Sequence, residues 1–252
     1  MPDLGWNMNM WRQEYDWNES KGEEWSQCWG SSVTQWVATL YPRIHRFLPC
    51  GNILEIAPGF GRWTKFLLAA ATKTYRAVDL SESCAKYCQE TYSPRHSDFK
   101  AFSNDGMSLD SVGGLTYDFI FSFDSLVHVN LTVLGEYIQQ ILGSLLSSNG
   151  VVFLHHSNMK FAKKFNQHLT EDHCRDPHVS TEDVAEIIEH HNGKILMQEI
   201  ISWGNTTYLD ALTLFCHKGC KFQPPQNPYH YNADYMAEAE YVKNTFEKYN
   251  FK

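Results

Sequence analysis

One turn constrains the fold more than any other feature. The run Asn52-Ile53-Leu54-Glu55-Ile56 leads into Ala57-Pro58-Gly59-Phe60-Gly61, a helical stretch follows, and a second run, Tyr75-Arg76-Ala77-Val78, delivers Asp79 eighteen positions after Gly61. A strand, a glycine turn, a helix and a strand ending in an acid make the first half of a Rossmann-like sheet. There a nucleoside rests on the turn and its ribose meets the acid.

The turn also narrows the ligand. A dinucleotide loop carries a third glycine three positions after the second, where helix and strand close around a pyrophosphate. Here that position is Thr64, and Pro58 removes a backbone donor. Both departures disfavour a dehydrogenase. A ligand without phosphates tolerates them, because it needs only close backbone approach at Gly59 and Gly61 and a carboxylate for its ribose. S-adenosylmethionine is such a ligand.

Residues 55–61 resemble the first motif of the class I S-adenosylmethionine-dependent methyltransferases, and residues 77–81 resemble the second. Asn104-Asp105-Gly106 stand where that family contacts adenine, residues 117–128 resemble its fourth strand and following loop, and residues 150–156 its fifth strand. The resemblance implies S-adenosyl-L-methionine as methyl donor. Ala57, Pro58, Gly59 and Gly61 would approach its methionyl part, with Glu55 ordering the loop or reaching a bound water. Asp79 would accept from the ribose hydroxyls, Leu80 would pack on adenine, and Asp105, between Asn104 and Gly106, would accept from the adenine amino group. Phe123 and Asp124 would flank the methionyl end, and aromatic faces from Phe60, Trp63 or an N-terminal Trp could stabilise the sulfonium.

Methyl transfer needs in-line approach of a nucleophile, and a hydroxyl nucleophile also benefits from a base. His128, Asp124 and His155 follow the fourth and fifth strands and are the candidate catalytic residues. Adjacent strand residues point to opposite faces, so at most one of His155 and His156 should face the site. Asp124, His128, His155 and Asn158 could ligate a divalent metal, but no compact ligand motif demands one and none is expected.

The remaining pattern gives an α/β fold: a seven-stranded, mostly parallel sheet with helices on both faces. Strands fall near 53–57, 75–79, 99–102, 118–123, 151–155, 195–202 and 209–217, and helices near 62–72, 82–91, 132–146 and 181–191. By resemblance the seventh strand lies antiparallel beside the fifth. Residues 1–47 hold six of the eight tryptophans, Trp6, Trp11, Trp17, Trp25, Trp29 and Trp36, and read as a helical cover: either a lid or a cap on the sheet edge. Residues 48–217 form the cofactor-binding domain. Residues 218–252 read as a peripheral loop followed by a helix near 233–249.

A net charge of −8 lacks the basic surplus that nucleic acid rewards, so no nucleic-acid partner is expected. Without a long apolar run or an N-terminal signal, the chain reads as cytoplasmic, with no membrane partner. Seven widely spaced cysteines read as reduced thiols, and a homodimer stays open. The expected function is O-methylation of a small polar acceptor such as a sugar or secondary metabolite. The alternatives are N-methylation of an amine or protein side chain, and a protein that binds S-adenosylmethionine without turnover.

Overall fold

The computed structural model describes residues 2–166, 169 and 174–249. Short helices, α1 (Leu4–Asn9), α2 (Trp17–Ser20), α3 (Ser32–Gln35) and α4 (Tyr41–Ile44), joined by π- and 3-10-helical turns, build the N-terminal segment. The sheet then alternates with helices: β1 (Cys50–Ile56), α5 (Thr64–Leu67), β2 (Ala71–Asp79), α6 (Glu82–Tyr92), β3 (Phe99–Ser103), β4 (Tyr117–Ser122), α7 (Leu131–Gln140) and β5 (Leu146–Ser157). The last third adds α8 (Met159–Ala162), α9 (Thr181–His190), β6 (Gly193–Trp203), β7 (Thr206–His217), β8 (Tyr229–Asn232) and α10 (Tyr235–Tyr249).

The strands lie in the order β3-β2-β1-β4-β5-β7-β6-β8. β1 to β5 run parallel, β7 is antiparallel to both of its neighbours, and β8 is parallel to β6. Side chains alternate across the sheet, so consecutive residues feed two cores. Ile53, Phe119, Phe121 and Phe153 pack on one face with Trp29 and Trp36, whereas Leu54, Ile120, Val152 and Leu154 pack on the other with α7 and α9. Strand order reverses between β1 and β4, which opens a crevice at their carboxyl ends.

The sheet has eight strands rather than the seven expected. β8 comes from Tyr229-His230-Tyr231-Asn232, a polar stretch without apolar alternation, and only its pairing with β6 makes it a strand. The C-terminal helix is also less peripheral than its polar sequence suggests. Tyr235 is fully buried against Trp29 and Trp203, and the Arg43 guanidinium lies over its ring. Arg43 in turn forms a two-pronged pair with Glu199 at 2.6 Å, fastening the N-terminal segment to β6.

Two helices are shorter than expected. A 3-10 turn, Leu68–Ala70, ends α5 so that β2 starts at Ala71, and α7 gives way to a π-helical segment, Ile141–Leu145, before β5 starts at Leu146. The expectation that all cysteines are reduced also fails, because Cys216 and Cys220 are joined as a disulfide across the turn after β7. Among the described residues no helix is long and apolar enough to cross a membrane.

Candidate active site

The turn after β1 is held by its own backbone. Ala57 N–H donates to Val78 O at 2.7 Å, and Gly61 N–H donates to Pro58 O at 2.9 Å. Ala57, Gly59 and Gly61 take φ values of 57, 58 and 80°, in the left-handed region that favours glycine. A Cβ at Gly59 would lie 2.5 Å from the Trp17 ring, and one at Gly61 would collide with the Tyr92 ring. Both glycines are therefore required twice, by dihedral and by space.

Asp79 stands at the end of β2, buried, and ties two segments to itself. Oδ2 accepts from Gly59 N–H at 2.9 Å and Oδ1 from Ser81 N–H at 2.8 Å. A carboxylate offers about four lone-pair sites, so roughly two remain for a ligand. Burial pushes this carboxyl up to about 6.

Glu55, two residues before the turn, lines neither of the cavities described below. Its Oε2 accepts from Thr64 Oγ1 and from Tyr75 OH, both at 2.5 Å, which joins β1, β2 and the start of α5. Of its two expected parts, ordering the loop is the one this geometry serves. Oε1 has no partner among the described residues, and burial pushes the carboxyl up to about 7.

The folded chain thus holds a proton on Glu55 that the unfolded chain releases near the ordinary value of 4.5. Stability therefore falls as pH rises from that value towards 7, and the loss is complete above it. Glu55→Gln removes the ionisable group but leaves an amide where Oε1 is unpartnered, so a net gain of about 2 kcal/mol is expected at pH 8. At pH 5 the gain should vanish. Urea titrations at the two pH values measure the difference, and an equal effect at both would contradict a buried, neutral Glu55.

At the switch point lies a cleft with about 760 Å³ of empty space, counted out to its mouth. Ile56, Ala57, Gly59, Asp79 and Leu80 line it from below, while Leu4, Asn7, Trp11, Trp17 and Trp25 reach it from the N-terminal segment. That roof is fastened by polar contacts. Arg12 donates to Leu80 O at 2.8 Å and Asn104 O at 3.0 Å, and Asn7 Nδ2 donates to His128 O at 2.7 Å. Trp11 sits at the centre, with Trp6, Tyr15, Trp17, Trp25 and His128 all within 6.2 Å between ring centroids. Gly106 leaves the gap between Leu4 and Leu80 open, since a Cβ there would lie 2.5 Å from Leu4.

On the rim, Asn104 lines the cleft and its Nδ2 donates to Ser108 O and Tyr137 OH. Asp105 does not line the cleft. It is exposed, and its Oδ1 accepts from the N–H groups of Met107 and Ser108, which holds it below the usual carboxylate range. Asp105 was expected to meet adenine; here its Oδ1 serves its own turn, outside the cleft.

A smaller cavity adjoins the cleft and shares Trp17, Trp25, Ala57, Gly59, Asp124 and Ser125 with it. Pro58, Phe60, Trp63 and Phe123 border the smaller cavity, whereas Gly61 lines neither cavity. Asp124 has a φ of 61° and pairs with Arg62 Nη2 at 2.7 Å. The Arg62 guanidinium is buried over the rings of Trp25 and Trp63. Sequence reasoning missed Arg62, although it directly follows the glycine turn.

Neither histidine of the β5 pair lines either of these two cavities. His155 is fully buried, with Nδ1 accepting from Asp124 N–H at 3.1 Å and Nε2 3.4 Å from Asp210 Oδ2, too long and poorly aligned for a strong bond. His156, on the other face, meets Thr213 Oγ1 at 2.8 Å and is pushed down to about 4 by burial. His128 lines neither cavity; its ring packs on Trp11, in a loop whose Leu126 and Val129 do line the cleft. Its Nδ1 lies 2.8 Å from Cys174 O, which can only accept, so Nδ1 carries the proton and Nε2 keeps a lone pair. Burial and the Arg175 charge lower it to about 4, leaving it neutral near pH 7. Among the described residues no group of three or more His, Cys, Asp or Glu could hold a metal ion.

Residues 53–150, from β1 into β5, match the family model of a methyltransferase domain. No curated protein matches the chain. Among solved structures, the fold is shared with an S-adenosylmethionine-dependent methyltransferase from Clostridium acetobutylicum at 16% identity, covering 84% of this chain and 96% of that one, TM-score 0.56. It is shared with magnesium protoporphyrin IX methyltransferase from Synechocystis PCC 6803 with bound S-adenosylmethionine, at 13% identity, 84% and 97% coverage and TM-score 0.56. The CcbJ methyltransferase from Streptomyces caelestis matches at 12% identity, 74% and 95% coverage and TM-score 0.55.

Proposed function

We propose that this chain, whose residues 53–150 match a methyltransferase domain, is a class I S-adenosylmethionine-dependent methyltransferase that methylates a hydroxyl of a small polar acceptor, such as a sugar or secondary metabolite. In this reading adenine enters between Leu4 and Leu80 over Gly106, framed by Asn104. The ribose hydroxyls donate to the two unused lone-pair sites of Asp79. The methionyl part passes over Ala57 and Gly59 towards Asp124 and Phe123, with Pro58 and Gly61 shaping the turn beneath.

The aromatic roof supports a small acceptor. Closing Trp11, Trp17 and Trp25 over the cleft excludes water from the sulfonium and presents ring faces on which a sugar can stack. The nucleophilic oxygen attacks the methyl carbon, the carbon–sulfur bond breaks, and the neutral thioether S-adenosylhomocysteine leaves without needing a proton.

The observation that carries the hydroxyl reading is the tautomer of His128. With Nδ1–H committed to Cys174 O, the lone pair is left on Nε2, and in this reading it takes the acceptor's proton once the Trp11 ring beside it gives way to the acceptor. Its low proton affinity keeps it ready at neutral pH but makes it a weak base, so its contribution belongs below the usual range. His128→Ala should lower kcat about 30-fold and leave S-adenosylhomocysteine affinity unchanged. Methyl transfer from S-adenosylmethionine to a panel of sugars, hydroxylated metabolites and amines tests this reading. Turnover of amines alone would contradict it, and cofactor binding with no turnover on any acceptor would mark a non-catalytic binder.

A further inference from the structure

His155 lies close to the proposed reaction centre, yet it is fully buried and lines neither of the two cavities. Nδ1 accepts from Asp124 N–H at 3.1 Å, so that nitrogen carries no proton and a neutral ring must carry its proton on Nε2. Nε2 faces Asp210 Oδ2 at 3.4 Å. Asp210 is itself fully buried and gripped by Arg175, with Nε to Oδ1 at 3.1 Å and Nη2 to Oδ2 at 2.7 Å.

The charges along this line alternate and cancel in pairs. Arg175 neutralises Asp210, Arg62 neutralises Asp124, and a neutral His155 stands between the two pairs. What the ring secures is a strained residue. Asp124 has a left-handed φ of 61° without being glycine, and its side chain borders both cavities. A conformation of that kind persists only where its surroundings enforce it. The stack of His155 on Phe123, at 4.6 Å between centroids, holds the ring in plane with that task.

We propose that His155, held by its stack on Phe123 with Nε2 facing the Asp210–Arg175 pair, is a positioning residue that fixes the backbone of Asp124 for cofactor binding and is not the base. Arg175, Asp210 and His155 come from three separate parts of the chain, and none of them needs to touch the substrate. The proposal rests on S-adenosylmethionine as the ligand of the cleft. It replaces the catalytic part that sequence reasoning assigned to His155.

Two substitutions separate the ring's two nitrogens. In His155→Asn the amide oxygen can stand where Nδ1 stood and still accept from Asp124 N–H. In His155→Gln the longer side chain places its polar atoms where Nε2 stood, and the tie to Asp124 is lost. Calorimetry with S-adenosylhomocysteine, on variants shown by circular dichroism to be folded, should give affinity within about threefold of wild type for Asn and about 10- to 30-fold weaker for Gln. Nitrogen-15 spectra of histidine-labelled protein should show His155 protonated on Nε2.

Equal impairment of both folded variants would overturn the proposal, because the ring itself would then be required. Wild-type affinity in both would overturn it as well, as would a ring protonated on Nδ1. If the unaltered protein fails to bind S-adenosylhomocysteine, the cofactor reading fails instead, and the ring tautomer still decides whether His155 holds Asp124.

Discussion

Asp79→Asn is expected to weaken S-adenosylhomocysteine binding about 10³-fold, the largest loss for any single substitution in the cleft. The carboxylate accepts from Gly59 N–H and Ser81 N–H and offers its remaining lone pairs to two ribose hydroxyls. Asparagine keeps one acceptor oxygen but turns an NH₂ group towards a donor, so one backbone bond or one ribose bond is lost along with the charge. Hydrogen bonds to a charged group are worth about 1.5–3 kcal/mol each, and losing the equivalent of two gives about 4 kcal/mol.

The same residue sets a pH dependence. Burial pushes Asp79 up to about 6, so ligand that needs the carboxylate binds fully above that pH and progressively less below it. Isothermal titration of the wild type between pH 5 and 8 should show affinity falling about tenfold per pH unit once the carboxyl is protonated, and Asp79→Asn should be flat. Glu55 titrates nearby in pH but lies outside the cleft, so Glu55→Gln should keep the wild-type profile.

Trp11→Ala is expected to be the next most severe change. The ring lines the cleft, five aromatic rings surround it, and its Nε1–H donates to Asn7 Oδ1 at 3.0 Å. Truncating a fully buried tryptophan costs about 3–5 kcal/mol; Trp11 is half-buried, so about 2–3 kcal/mol of the bound state should go, roughly 100-fold in affinity. Losing a roof speeds escape more than it slows entry. Stopped-flow displacement of S-adenosylhomocysteine should therefore show a dissociation rate raised about 100-fold with little change in association. An unchanged dissociation rate would mean that the tryptophan segment covers the cleft without retaining what is in it.

Much of this was legible in the sequence because it rests on local rules. The order of β1 to β7 followed from apolar runs separated by helical stretches, and the nucleoside turn followed from Gly59, Gly61 and the acid at Asp79. β8 was not legible, since its four residues carry no apolar alternation and become a strand only by pairing with β6. The burial of Tyr235 likewise depends on Trp29 and Trp203, which lie far away in sequence.

In the site, the loop residues and Asp79 meet where their spacing put them, because the turn fixes them locally. Asp105 and His155 were placed at the right strand ends, but strand ends do not say which way a side chain turns or what already occupies it. Arg62 was passed over because nothing in its neighbours announces a pair with Asp124, sixty-two positions away. The tryptophan-rich start gave a cover but not its target. The contacts of Arg12 with Leu80 and Asn104, and of Asn7 with His128, set it over the crevice rather than elsewhere on the sheet.

The central claim is that the cleft above Asp79, closed by the N-terminal tryptophans, holds S-adenosylmethionine. Calorimetric titration of the purified protein with S-adenosylhomocysteine and, separately, with NAD tests it most directly. The expected result is saturable binding of S-adenosylhomocysteine at one site per chain and no measurable binding of NAD. Preferential binding of NAD, or no binding of S-adenosylhomocysteine at all, would contradict it.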